Sequence, residues 1–282
     1  MTKKVLISSD STCDLSPELV KKYNISITPL AIHFGDECRY DGVTAVPDDI
    51  YKYYEDTGRL PTTAAINPGE YVDYFSKIKT DDCEIVHFCI SSQMSSTYAN
   101  CSIAAQELGG IYPIDSENLS TGIGLLVLYA CDLASEGYSA KEIADKVNAM
   151  RPKVNTSFII DKLLYLWKGG RCSGVAALGA NVLKLKPCIE VKHGKMEVGK
   201  KYRGKYGDVL EEYTLNRIAA FPNVRKNRIF ITHTRTDPEN VARVRKILEE
   251  KTPFEEILET TAGCSVSAHC GPNTLGILFI EE

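Results

Sequence analysis

Short apolar runs and amphipathic stretches alternate along most of this 282-residue chain. Residues 4–8 read as a buried strand, and 14–23 as a helix with Ser16 at its cap and Pro17 in its first turn. A strand over 26–34 follows, then a helix over 47–57 in which Ile50, Tyr51 and Tyr54 share a face. Asn67-Pro68 opens a helix to residue 78. The pattern continues as strand 84–90, helix 95–108, strand 110–114 and a long apolar helix over 117–135. Ser139 and Glu142 form a capping box for a helix ending at Met150.

The last third changes character. Runs at 187–191 and 195–202 flank His193-Gly194 as a hairpin. A helix over 206–220, a strand over 228–232, a helix over 238–251 and strands over 256–261 and 274–280 complete the chain. The expected fold is α/β with two domains. A mostly parallel sheet flanked by helices occupies 1–160, and a smaller α+β domain with antiparallel strands occupies 161–282. No linker-like composition separates them, so close packing is expected.

Composition excludes more than it selects. Lys+Arg 33 against Asp+Glu 37 gives a net charge of -4, which offers no global attraction for nucleic acid. The apolar run after Lys4 is too short for a signal peptide and no stretch is long enough for stable membrane insertion, so a cytoplasmic location is expected. The ten Cys show no CxxC pair and sit in apolar runs, which predicts reduced buried thiols. No HExxH or GxxxxGK[ST] motif is present, so neither a metal centre nor a phosphate loop is expected.

Ligands of open α/β sheets sit beyond the carboxyl ends of the strands. Residues 8–14, rich in hydroxyls and holding Asp10 and Asp14, lie at such an end and serve equally as caps or as ligand donors. Residues 91–98 join a strand to a helix whose first amides favour an anion, and Ser95 and Thr97 add hydroxyls. Residues 60–65 read as a polar turn. In residues 167–173, Gly169 ends a helix and Arg171 offers an oxyanion contact. His269 falls in a small-residue loop between strands. Ser95 and His269, oriented by Asp10 or Asp115, would make a serine-type esterase or thioesterase, although GxSxG is absent.

These segments, in this order, resemble the DegV family. The resemblance spans the chain from Asp10-Ser11-Thr12-Cys13-Asp14-Leu15 through Ser91-Ser92, Ser95, Thr97-Tyr98, Asp115-Ser116, Lys168-Gly169-Gly170-Arg171, Leu185-Lys186-Pro187 and Ser267-Ala268-His269 to Gly276-Ile277. It implies a two-domain protein holding a long-chain fatty acid, of the palmitate, stearate or oleate class, in an internal tunnel. It also implies that the chain is not itself a catalyst. Some members are the lipid-binding subunit of bacterial fatty acid kinase, whose partner subunit uses ATP to phosphorylate the bound carboxylate.

By the same resemblance Thr62, Ser95 and His269 hold the carboxylate, and Thr63, Ser96 and Arg171 stand near the head group. Arg203 falls where kinase-associated members carry an arginine used with the partner. The family's Thr-Ser-Gln-Pro motif is Thr-Thr-Ala-Ala here, and Ser96 replaces a glycine. Burial of about 14 methylenes at about 0.8 kcal/mol each would supply the gross affinity, with the head group setting register. Residues of 122–133 together with Phe158, Ile159 and Ile160 are candidate tunnel walls.

Overall fold

A computed structural model describes residues 3–176 and 185–282. Strands β1 (Lys4–Asp10), β2 (Ser26–Thr28), β6 (Cys83–Cys89) and β7 (Ile111–Asp115) form a parallel sheet in the order β2-β1-β6-β7. Its central strand β6 is buried on both faces, and its residues divide by alternation. Ile85 and Cys89 pack under α3 (Pro68–Ile78) and α4 (Thr97–Leu108), while Val86 and Phe88 face α5 (Thr121–Ser135) and α6 (Ala140–Met150).

Beyond α5 lies a mixed six-stranded sheet of β8 (Val154–Ile160), β9 (Lys186–Lys192), β10 (Lys195–Tyr202), β11 (Val224–His233), β12 (Glu256–Thr261) and β13 (Thr274–Glu281). Its pairs are antiparallel except β11 with β12. The hairpin at His193-Gly194 forms as the sequence suggests. The outer face is covered by α9 (Tyr206–Ala220) and α10 (Pro238–Lys251). The mixed α/β architecture, with a helix-flanked parallel sheet and antiparallel sheets, is therefore as expected.

Helix α5 has almost no polar face, and a helix apolar all round must be enclosed. Ile123, Leu125, Leu126, Val127 and Leu128 are buried between the two sheets, against Ile7, Val86 and Phe88 on one side and Phe230, Leu278 and Ile280 on the other. Each such side chain contributes about 1.5–3 kcal/mol on leaving water. Gly122 permits the approach to β8, since a Cβ there would lie 2.5 Å from Thr156 Oγ1. The candidate walls thus fall into two groups: the α5 side chains and Ile159 are sheet-packing core, while Phe158 and Ile160 join a separate cluster with Met94, Leu119 and Val266.

Three local expectations are corrected. The single strand over 26–34 is two, because Pro29 lacks an N–H and the chain changes sheets there. β2 stays in the parallel sheet, and β3 (Ala31–Phe34) pairs with β4 (Glu37–Tyr40) and β5 (Thr62–Ala64) in a small antiparallel sheet. Residues 60–65, read as a polar turn, therefore contain the edge strand β5. The segment around His269 is a helix, α11 (Cys264–Cys270), rather than a loop. Nine of the ten cysteines are buried and none is paired, in line with reduced thiols.

One ion cluster fastens the helix layer to the second sheet. Arg228 of β11 forks onto Asp132 of α5 at 2.5 and 3.0 Å, and also reaches Glu256 at 3.0 Å and Tyr23 Oη at 3.1 Å. The guanidinium is largely buried, whereas the two carboxylates keep contact with water. Arg228→Met should lower unfolding free energy by roughly 2–3 kcal/mol, below the figure for a fully enclosed pair. Arg228→Lys should recover little, because one ammonium cannot serve the fork. Urea denaturation midpoints check both; an unchanged midpoint in the Met variant would show the cluster to be energetically neutral.

Candidate functional site

Position in β5 decides which of two adjacent threonines faces inward. Thr63 pairs with Ile32 and Thr62 with His33, and opposed residues on neighbouring strands share a face. Ile32 is fully buried in the cluster containing Cys264 and Ala268 of α11, so Thr63 points at α11. Thr63 Oγ1 lies 3.0 Å from His269 Nε2. Thr62 is exposed on the opposite face and takes no part in the cavity described next. Thr62 and Thr63 thus point to opposite faces of the strand, and of the two only Thr63 faces α11.

A cavity of about 240 Å³ opens between β5, the segment joining β6 to α4, and α11. Its polar lining includes Thr12, Thr63, Ser95, Arg171, Ser265 and His269. Leu30, Ile90, Met94, Leu119, Met196 and Val266 supply most of the rest. The structure therefore brings together Thr63, Ser95, Ser96, Arg171 and His269 from the expected residues. Ser96 and Arg171 are exposed at the rim. Arg203 is exposed just past the end of β10 and does not line this cavity.

Ser95 sits before the first turn of α4. Its Oγ accepts from Thr97 N at 3.3 Å and lies 2.7 Å from Thr97 Oγ1. His269 rests against the end of α7 (Leu163–Gly169), where a Cβ on Gly169 would lie 2.3 Å from His269 Nδ1. Glycine is required there by the imidazole, whereas the helix is ended by Gly170 in the left-handed conformation, one residue later than the sequence suggests. Burial, with the positive charge of Arg171 second, pushes the His269 pKa down to about 4, so the ring is neutral at pH 7. Its Nδ1 and the Ser265 Oγ are buried without a hydrogen-bond partner among the described residues.

The geometry does not assemble a hydrolytic triad. Ser95 Oγ and His269 Nε2 are engaged by Thr97 and Thr63 respectively, and no carboxylate holds His269 Nδ1 among the described residues. Asp10 and Asp115 are occupied elsewhere. Asp10 accepts from Ile90 N at 2.8 Å and from Thr12, and Asp115 accepts from Ser92 N at 3.1 Å and Glu117 N at 3.0 Å. These carboxylates shape the strand ends.

Ser265 escaped the sequence reading because nothing local marks α11 as a helix. Its start is held by carboxylates remote in the chain. Asp14 accepts from Gly263 N at 2.8 Å, and Asp41 accepts from Cys264 N at 2.7 Å and Ser265 N at 3.0 Å. Ser120 Oγ donates to Asp14 at 2.5 Å.

Burial raises Asp14 to about 8 and Asp10 to about 6, and in both the surrounding donors only partly offset it. A carboxyl whose folded pKa exceeds its unfolded value stabilises the fold in its protonated form. That contribution is full below about pH 4 and is lost as pH rises through the folded values. Stability should therefore decline between pH 5 and pH 8.5, by up to about 1.4 kcal/mol per pH unit for each titrating group. Asp14→Asn should flatten the part of the slope between pH 6 and 8. Melting temperatures across that range test this, and equal slopes in both proteins would refute it.

Comparison with known proteins agrees with this architecture. The family model described as "Uncharacterised protein, DegV family" matches residues 4–282. A DegV domain-containing protein of Clostridium perfringens is 31% identical over 281 residues, covering 99% of each chain. A solved structure described as fatty acid binding of a DegV family protein from Thermus thermophilus superposes with a TM-score of 0.90 at 26% identity, covering 99% of this chain and 100% of that one. A DegV family protein from Ruminococcus gnavus, described with vaccenic acid, has a TM-score of 0.87 at 19% identity, covering 98% of this chain and 99% of that one. By its full-length family match and its 31% identical relative, the chain belongs to the DegV family.

Proposed function

We propose that this protein is a carrier of long-chain fatty acids, with the carboxylate at the Thr63–Ser95–His269 end of the cavity and the acyl chain along its apolar wall. The observation that carries the reading is the polarity of the cavity. Ser265 Oγ is buried without a partner among the described residues, on the same helix as His269, while Leu30, Ile90, Met94, Leu119, Met196 and Val266 supply the apolar lining. The Thermus thermophilus relative, described as fatty acid binding, supports it.

A carboxylate needs donors when it leaves water. A neutral His269 that donates from Nε2 to Thr63 Oγ1 leaves the Thr63 proton free to point at the ligand. Ser95 supplies a second hydroxyl, and Arg171 at the rim adds positive charge. This assigns to Thr63 the contact that the resemblance placed at Thr62. The tail is proposed to pass Leu119, Val266 and Cys270, which also line a neighbouring void of about 20 Å³ in front of Phe158. Shifts of those side chains would join the two spaces and admit a ligand of the palmitate, stearate or oleate class.

The same reading divides the chain near residue 160. The cavity draws on both parts, from Thr12 to Leu119 and from Arg171 to Cys270, and β8 lends the first part's last strand to the second sheet. We further propose a kinase subunit as partner, phosphorylating the carboxylate from the rim where Ser96 and Arg171 are exposed, with Arg203 contributing to its docking.

Native mass spectrometry of the purified protein should find a bound fatty acid. After delipidation, palmitate, oleate or vaccenate should raise the melting temperature, and ligand at 100 times Kd adds about 2.7 kcal/mol. Thr63→Val and Ser95→Ala should each weaken binding about tenfold or more, as expected for hydrogen bonds to a charged group. Thr62→Val should not. No bound lipid together with no thermal response would overturn the proposal. Equal loss in Thr62→Val and Thr63→Val would overturn only the assignment of the head group.

A further inference from the structure

We propose that His87, Cys89 and Cys101 form a buried Zn²⁺ site that staples β6 to α4. The three side chains are fully buried, and one ligand atom from each lies within 4.8 Å of the others. His87 and Cys89 are two apart on β6 and so share a face, and Cys101 meets them from α4. None of the three lines the fatty acid cavity.

The imidazole is already oriented as a ligand. Ser8 Oγ lies 2.6 Å from Nδ1, and Ser8 in turn lies 3.0 Å from Tyr74 Oη, which donates to Ser26 Oγ at 2.8 Å. Metal-binding histidines are fixed in this way, through the nitrogen that does not bind the metal. Nε2 is buried and has no hydrogen-bond partner among the described residues. The rings of Tyr71, Tyr74 and Phe75 surround the imidazole at 5.2–6.1 Å and offer no strong acceptor to it on their faces. Tyr71 Oη lies 3.7 Å from Cys89 Sγ, within hydrogen-bonding reach of the thiolate that metal binding would create.

Charge selects the cation. On binding, each thiol gives up its proton to solvent and forms a Zn–S bond, and the imidazole nitrogen donates its lone pair. Two thiolates and one dication sum to zero, which suits an apolar core. Tetrahedral Zn²⁺ with bonds of about 2.0–2.3 Å sets its ligands about 3.3–3.8 Å apart, so the cluster need contract by only about 1 Å. The consequence lies in the segment between the anchors. Residues 90–96 carry Ser95, and the staple would close that loop at both ends.

Metal analysis of the full-length protein, purified without chelator, should find one zinc per chain. Protein unfolded with chelator and refolded with Co²⁺ should show the near-ultraviolet thiolate-to-cobalt absorption. Both signals should vanish in a Cys89→Ser/Cys101→Ser double variant and persist in Cys131→Ser. Wild-type zinc no higher than in the double variant would overturn the proposal, as would a Cys89–Cys101 disulfide found by thiol mapping. Should the double variant fail to fold, X-ray absorption on the wild-type protein decides: a shell with two sulfurs supports the site, and a shell of oxygen and nitrogen alone refutes it.

Discussion

Enclosure of α5 is the constraint from which the rest follows. A helix with apolar residues on all sides cannot lie on a surface, so the chain builds a parallel sheet on one side of it and an antiparallel-rich sheet on the other. The two sheets are held at a fixed spacing by the same side chains. The strand ends and the loops beyond them then converge at the α5 N-terminus, where Asp14 meets Ser120 and Leu119 enters the cavity wall. The cavity is thus a by-product of how a greasy helix is covered.

The polar residues at that convergence divide their labour. Asp10, Asp14 and Asp41 accept backbone N–H groups and position the segments that carry Ile90 and Ser265. Thr63, Ser95, Ser265 and His269 keep hydrogen-bonding capacity in reserve. An acid-rich motif beside a proposed carboxylate ligand looks contradictory in a sequence. It becomes intelligible once the acids are seen to be buried and committed to the protein's own amides, with two of them raised in pKa and so less negative than their number implies.

Long helices and longer strands were legible because their periodicity is local: 47–57, 238–251 and 256–261 coincide with α2 (Pro47–Thr57), α10 and β12. What failed was short or held from afar. β5 has three residues, and its inward face is set by pairing with Ile32, so Thr62 and Thr63 could not be told apart by spacing. α11 has seven residues, most of them small, and no amphipathic stripe; its first amides are satisfied by Asp14 and Asp41, more than 200 positions earlier. The neighbourhood of His87 was hidden similarly, since Cys101 approaches it only after α4 folds back on the sheet.

The order in which the chain leaves the ribosome gains meaning from β13. This last strand lies in the interior of the six-stranded sheet, between β8 and β11, and Gly276 within it packs tightly on Phe158. β8 and β11 can pair with β9 and β12 without it, but the edge that each turns toward the other stays open until residues 274–281 have been made. Until then α5 has one wall instead of two, and a nascent chain exposes the greasy surface that will later be interior. Contacts so distant in sequence form slowly, so the second wall closes late, and a chain stopped before residue 274 would be an aggregation-prone fragment rather than a smaller stable fold.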